Sequence, residues 1–158
     1  MVRLQIGLAG DQQIDRELLR FTDNIKDLRP AFQRIADQLA EAMRQHFATE
    51  GGFGAASRWS GGHWAPLSPK YRLWKEKRYP GQPILVLTGA LRRDLTSRPF
   101  GVERIGTQSM EVGTDIPYAT YHQHGTPKMP MRKPMDLTAE VRQTMVKTLQ
   151  RYIVSGRV

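Results

Sequence analysis

The chain has 158 residues, with 24 Lys and Arg against 15 Asp and Glu, a formal net charge of +9 and no cysteine. A chain of this length buries roughly 68–70% of its unfolded surface, so a single domain over residues 1–158 is expected to fold without a disulfide or a metal. The missing cysteine excludes disulfides, thiol nucleophiles and iron–sulfur clusters. The N-terminal residues lack a signal-peptide pattern and no apolar run approaches the roughly 20 residues of a membrane span, so we expect assembly in the cytoplasm.

The positive charge is concentrated in the middle of the chain. Residues 58–104 hold 10 basic and 3 acidic side chains, whereas residues 1–57 hold 7 and 8, and residues 105–158 hold 7 and 4. Such a block is typical of contact with an anionic polymer or an acidic partner surface, and a solubilising surface is the plainer alternative. The candidates to face DNA or an acidic partner are Lys75, Lys77, Arg78, Arg92 and Arg93.

The first third of the chain predicts one strand and two helices. Apolar and polar residues alternate over residues 2–8, which is the period of a half-buried strand. An approximate helical pattern follows from Asp11 to near Lys26. The second helix is better defined, because an apolar stripe runs from Leu28 to Phe47 with helical spacing while charged residues occupy the other face.

A glycine-rich loop with aromatic side chains follows over residues 51–64. It contains Phe53, Trp59 and Trp64. Linkers are normally polar, because exposed indoles favour association, so a passive linker is not expected. Two alternatives stay open: the loop folds over the core of its own domain, or it becomes ordered against a neighbouring subunit.

The middle of the chain predicts short elements. Ser68 and Pro69 mark the start of a basic helix over residues 69–78, with Tyr71 and Trp74 along one side. An apolar run over residues 84–87 precedes a brief helix from about residue 90, expected to be capped by Thr88. Residues 101–105 and 108–113 then predict a hairpin.

The last third predicts one or two helical turns over residues 116–123, ending at Gly125. Three prolines make residues 125–134 an extended basic loop. A final helix is expected from Asp136, as N-cap, to about Val154. These elements predict an α+β fold, in which a small, mainly antiparallel sheet packs against long N-terminal and C-terminal helices and long loops reach between subunits.

The sequence holds no complete catalytic arrangement. It lacks a phosphate-binding glycine loop followed by Lys and Ser or Thr, and it lacks a Gly-x-Ser-x-Gly elbow. His122 and His124, with His63, are the candidate metal ligands of a third, metal-dependent enzyme hypothesis. Helical residues two apart point to different faces, so structural hydrogen bonding is the interpretation we adopt. We therefore expect no enzyme, no cofactor and no metal.

Nucleic-acid binding is the alternative function. The basic residues are suited to contact phosphates and not to read bases, since no helix-turn-helix, zinc-finger or RNA-binding sheet pattern is present. Aromatic residues lie among them, namely Trp64, Tyr71, Trp74 and Tyr79. Such rings could stack on single-stranded bases, but we expect these to pack beneath the loop, because three of the four have apolar neighbours.

Four segments together carry a family resemblance. They are residues 64–71 (WAPLSPKY), 84–91 (ILVLTGAL), 118–125 (YATYHQHG) and 130–134 (PMRKP). Their order and spacing resemble the phage virion morphogenesis family, the tail-completion proteins of Mu-like contractile-tailed phages. The last segment departs from the family pattern Pro-x-Arg-Pro-Phe-Leu, because Lys133 is inserted before the proline and Met135 stands in the aromatic place.

The resemblance implies a structural virion protein at the head–tail junction, which completes or terminates the tail and joins it to the neck. It implies a ring, expected to be hexameric, that contacts the tail tube or sheath and neck or connector proteins, with nonspecific contact with packaged DNA and no membrane. No catalytic residue comes with it. The residues predicted to contact neighbouring subunits or partners are Phe53, Trp59, Trp64, Tyr118, His122, His124, Pro130 and Arg132.

Overall fold

The computed structural model describes residues 11–52 and 63–158, and the strand predicted over residues 2–8 lies outside this part. In chain order the elements are α1 (Asp11–Lys26), α2 (Arg29–Ala48), α3 (Pro69–Arg78), α4 (Ala90–Thr96), β1 (Val102–Ile105), β2 (Met110–Gly113), α5 (Tyr118–His124) and α6 (Ala139–Ser155). The predicted α+β class is confirmed. None of the helices in the described ranges is both long and apolar enough to cross a bilayer.

Helix α2 lies at the centre because its apolar stripe is buried along its whole length. Its residues Ala36, Leu39 and Met43 form one core cluster, against which Val141 and Met145 of α6 pack. The two helices are also joined by a hydrogen bond from Gln38 Nε2 to Thr148 Oγ1 at 2.9 Å, and α1 packs against α6. The long predicted helices therefore form the frame of the fold.

The hairpin β1–β2 is antiparallel and covers one side of this frame. Ile105 pairs with Met110 next to the turn, and the side chains of both pack against the α2 cluster. Arg98 fixes the hairpin to α2, because its guanidinium pairs with Asp37 of α2 at 2.8 Å and with Glu103 of β1. The predicted hairpin and its packing against the long helices are both confirmed.

The predicted start of α6 and the predicted cap of α4 are wrong in detail, whereas α4 begins at Ala90 as predicted. Helix α6 begins at Ala139, and its N-cap is Thr138, whose Oγ1 accepts a hydrogen bond from Val141 N at 3.2 Å, in place of Asp136. The N-cap of α4 is Gly89 with φ +82°, while Thr88 Oγ1 lies 3.5 Å from Ala90 N. Met135 and Leu137, just before α6, pack against the core, and the helix starts after them.

Candidate functional site

Three segments that are distant in the sequence meet around an open groove of about 730 Å³. Residues 66–71 lead into α3, residues 85–91 lead into α4, and residues 118–132 comprise α5 and the loop that follows it. The groove is lined mainly by apolar side chains and backbone, and no acidic residue lines it within the described ranges. The polar groups along it come from Ser68, Tyr71, Lys75, Thr88, Tyr118, His122, Lys128 and Arg132.

Arg132 joins two of these segments. Its side chain is buried, with the residue 5% exposed, and Nε and Nη2 donate to the carbonyl oxygens of Ala65 at 2.6 Å and Pro66 at 2.8 Å. Its backbone N–H donates to His122 O at 2.9 Å. Burial lowers the pKa of Arg132, yet an arginine stays charged at neutral pH, so two carbonyl dipoles solvate a full charge.

Trp64 belongs to the buried core cluster that also contains Val86 and Leu91, which line the groove. Its ring is buried and makes edge contacts with the rings of His46 and Phe47, both with centroids 5.2 Å away. Its Nε1 donates to Lys133 O at 2.9 Å, and His46 Nε2 lies 2.9 Å from the same oxygen. Because a carbonyl only accepts, Nε2 carries the proton of His46. Lys133, the residue inserted in the last motif, therefore supplies a shared acceptor.

The side-chain amide of Gln123 holds the backbone of Met135, the residue that follows the last motif segment. Gln123 Nε2 donates to Met135 O at 2.9 Å, and Gln123 Oε1 accepts from Met135 N at 3.3 Å. The Met135 side chain packs against both core clusters that meet behind the groove. Methionine at the aromatic place of the family pattern therefore makes core contacts.

The turn between α5 and the following loop depends on Gly125. This residue has φ +74° and ψ 176°, a region that only glycine readily adopts, and a Cβ there would lie 2.9 Å from Met131 N. Beyond it, Thr126 and Met129 bond each other through N–H···O contacts of 2.8 and 3.1 Å. The segment predicted as an extended basic loop is therefore partly a tight turn, with Lys128 exposed near its tip.

All the segments that build the groove lie within a match to a known protein family. A model of the phage virion morphogenesis family matches residues 9–154. The chain belongs to this family. Searches of curated proteins and of solved structures returned no significant match. Membership makes the chain a phage virion component with a structural or assembly role.

The predicted interface residues of this virion morphogenesis protein occupy different surroundings. Tyr118, His122 and Pro130 line the groove, whereas His124 is exposed outside it. Trp64 and Arg132 are buried in their own chain, so they hold the groove together and offer little area to a partner. The other two, Phe53 and Trp59, lie outside the described residues.

The His122 ring is half-buried and contacts Tyr118 edge to face, with centroids 6.1 Å apart. Burial is the main cause that lowers the pKa of His122, and the charge of Arg132 adds to it. Its Nδ1 is buried and has no hydrogen-bond partner among the described residues. Within those ranges no group of three His, Asp or Glu side chains is placed to share a metal ion.

One residue of the predicted basic set, Lys75, is buried and not exposed as predicted. Lys75 is 5% exposed, and its Nζ donates to Pro83 O, so it belongs to the wall between α3 and the second motif segment. Burial lowers the pKa of Lys75. The remaining members, Lys77, Arg78, Arg92 and Arg93, are exposed outside the groove.

Polar links between distant segments are not visible in the sequence pattern. Glu50, whose Oε1 accepts from Ile84 N at 2.6 Å, ties the end of α2 to the second segment, and no local pattern reports such a contact. Tyr71 and Trp74 are exposed on α3 and Trp64 is buried. The expectation that these rings pack beneath the glycine-rich loop stays a prediction, because residues 53–62 of that loop lie outside the described part of the chain.

Proposed function

We propose that this virion morphogenesis protein completes the phage tail at the head–tail junction, where it forms a ring, expected to be hexameric, that joins the tail to the neck. The observation that carries the proposal is the groove. The segments that resemble the family motifs converge on an open, mostly apolar surface that is held in shape from behind by Arg132, Trp64 and Gln123. Such a surface suits docking of a protein segment.

The chemistry of the groove favours an extended segment of a partner subunit. Apolar walls from Leu85 and Leu87 would bury its side chains, and a few polar groups such as Ser68 and Thr88 would fix its register. Lys128 at the edge and the absence of acidic lining among the described residues favour a partner segment with a carboxylate. The partner candidates are another copy of the chain, tail tube or sheath, and neck proteins.

Exposed apolar residues on α1 support assembly with further copies. Leu18, Leu19, Phe21 and Ile25 are all exposed on this helix, although α1 packs against α6. Contiguous exposed apolar surface marks interaction sites. If this patch docked into the groove of the next copy, the two different surfaces would form a head-to-tail interface, which closes into a ring when the rotation between copies allows it. Phe53 and Trp59 remain predicted interface residues.

The proposal is tested in a phage that lacks the gene for this chain and is supplied with variants in trans. The readout is the fraction of particles with a joined tail of normal length in negative-stain micrographs. We expect the deletion to leave heads and tails separate or tails of abnormal length. Normal joined particles without the protein would contradict the proposal.

A groove variant and its matched control make this test specific. Tyr118 lines the groove and is 44% exposed, whereas Tyr121 of the same helix is 58% exposed and does not line it. We expect Tyr118→Asp to weaken docking about tenfold, the effect of losing one well-packed contact residue, and thereby to reduce the fraction of joined particles. Tyr121→Asp should support normal joining. Equal behaviour of the two variants would show that the groove is not the docking site.

A further inference from the structure

Helix α3 presents an aromatic pair on its outer surface. Tyr71 and Trp74 are 41% and 46% exposed, and their rings stack with centroids 5.3 Å apart and planes 27° apart. The ring of Tyr79 continues the row at 6.0 Å from that of Trp74. Lys75 is the only buried residue of α3, so the pair is not part of the core, and Tyr71 also lines the groove.

Basic side chains surround this pair. Residues three and four positions apart are neighbours on a helix surface, and for Trp74 these are Lys70, Tyr71, Lys77 and Arg78. All four are exposed. None of the three cations forms an ion pair within the part of the chain that the structure describes. Glu76, two positions away, points to another side of the helix.

The combination of flat exposed rings and unpaired cations is suited to unpaired nucleic acid. The faces of Tyr and Trp stack on any unpaired base, and cations on either side attract the phosphates that connect successive bases. An interface for an apolar protein segment would have no need of three unpaired cations around its anchor. The exposed patch of α1 shows the contrast, because its large apolar side chains are mainly aliphatic.

We propose that this face of α3 binds single-stranded nucleic acid without reading its sequence. Trp74 and Tyr71 stack on bases, and Lys70, Lys77 and Arg78 contact phosphates. Contact with unpaired bases goes beyond the tail-completion proposal, which includes only nonspecific contact with packaged DNA. The site shares Lys77 and Arg78 with the predicted set of phosphate contacts, adds Lys70, and does not use Lys75, Arg92 or Arg93.

The test measures binding of the purified full-length protein to a fluorescent oligothymidylate of about 16 nucleotides by anisotropy. A probe of the same length with abasic sugars carries the same charge and no bases. We expect the oligothymidylate to bind about tenfold or more tightly than the abasic probe, because stacking contributes per base. Equal affinity for the two probes would reduce the interaction to charge and overturn the proposal.

Variants on the same helix separate stacking from general effects. Trp74→Ala should lose about tenfold or more of the affinity for oligothymidylate, and Trp74→Tyr should keep most of it. Leu73→Ala is the matched control, because Leu73 is the next residue, is 65% exposed and points to another side of the helix. The thermal midpoints of all variants are measured in parallel. Identical losses for Trp74→Ala and Leu73→Ala would contradict stacking.

The salt dependence of the binding affinity tests whether the cations contact phosphates. Between about 50 and about 200 mM salt the affinity should fall with a log–log slope of about −2, as expected for three phosphate contacts to a single strand. Lys77→Gln or Arg78→Gln should each make the slope shallower by about 0.7, and Arg72→Gln, which changes a cation on another side of α3, should not. Absence of binding at low salt would rule out nucleic-acid binding by α3. It would not affect the tail-completion proposal, because the comparison of Tyr118→Asp with Tyr121→Asp tests that proposal separately.

Discussion

Replacing Arg132 by methionine tests how the candidate groove is held in shape. Methionine fills a similar volume but has no hydrogen-bond donors. The carbonyl of Ala65 would lose its partner at a buried position, whereas the carbonyl of Pro66 is partly buried and gains access to water more easily. The substitution also has a stabilising effect, the relief from desolvation, because a buried guanidinium no longer has to lose its water on folding. The larger of the two effects decides whether the free energy of unfolding falls or rises.

The loss of hydrogen bonds is the larger effect. A buried acceptor left without a donor costs about 1–3 kcal/mol, and the partly buried one adds about 1 kcal/mol. No carboxylate of the described residues pairs with Arg132, so the variant leaves no orphaned opposite charge to add to the cost. With the relief from desolvation subtracted, we expect Arg132→Met to lower the free energy of unfolding by about 2–3 kcal/mol. For a chain of this size, that is about 4–12 °C in Tm.

Urea unfolding followed by tryptophan fluorescence measures this change. Trp64 is a suitable reporter, because it donates to the carbonyl of Lys133, the residue next to Arg132. Lys128→Met, at an exposed position of the same loop, should stay within about 0.5 kcal/mol of the parent. Arg132→Lys should be intermediate, because one ammonium does not reproduce the fork of donors. The reasoning is refuted if Arg132→Met and Lys128→Met unfold at the same urea concentration.

Three further predictions concern stability. Gly51 has φ +88°, and a Cβ there would lie 2.6 Å from Trp64 Cδ1, so Gly51→Ala should lower the free energy of unfolding by about 2–4 kcal/mol in urea titrations. Gly125→Ala should cost a similar amount, while Gly81→Ala, with φ +73° and open space around it, should cost only about 1 kcal/mol; equal costs would contradict the role of close packing. Burial lowers the pKa of His46, so the unfolded state binds more protons below about pH 6.5 and stability falls as the pH is lowered. Tm measured from about pH 8 to about pH 5 should fall less steeply for His46→Gln, and an unchanged slope would count against this effect.

Much of the fold could be predicted from local patterns. The bounds of α3 and the hairpin agree with the prediction because prolines, glycines and short-range periodicity determine them. The start of α6 was misplaced, since Asp136 is as good an N-cap by type as Thr138, and only the packing of Met135 and Leu137 against the core decides between them. Local chemistry offers several starts, and tertiary contacts select one.

The candidate site was predictable in its segments and less so in its roles. The family motifs identified the stretches that build the groove, but whether a given cation is exposed depends on contacts far along the chain. Arg132 bonds to carbonyls 66 and 67 residues away, which makes it a structural residue. Lys75 is a structural residue as well, because it is buried. Trp74, in contrast, is exposed, although tryptophan is usually well buried.

The most direct test of the central proposal is a cryo-electron microscopy reconstruction of the neck of intact virions. The account predicts a closed ring of this chain between head and tail. It also predicts that the groove bordered by Tyr118 and Leu87 is filled by a segment of a neighbouring protein. Finding the chain elsewhere in the particle, or finding it in the junction with the groove open to solvent, would contradict it.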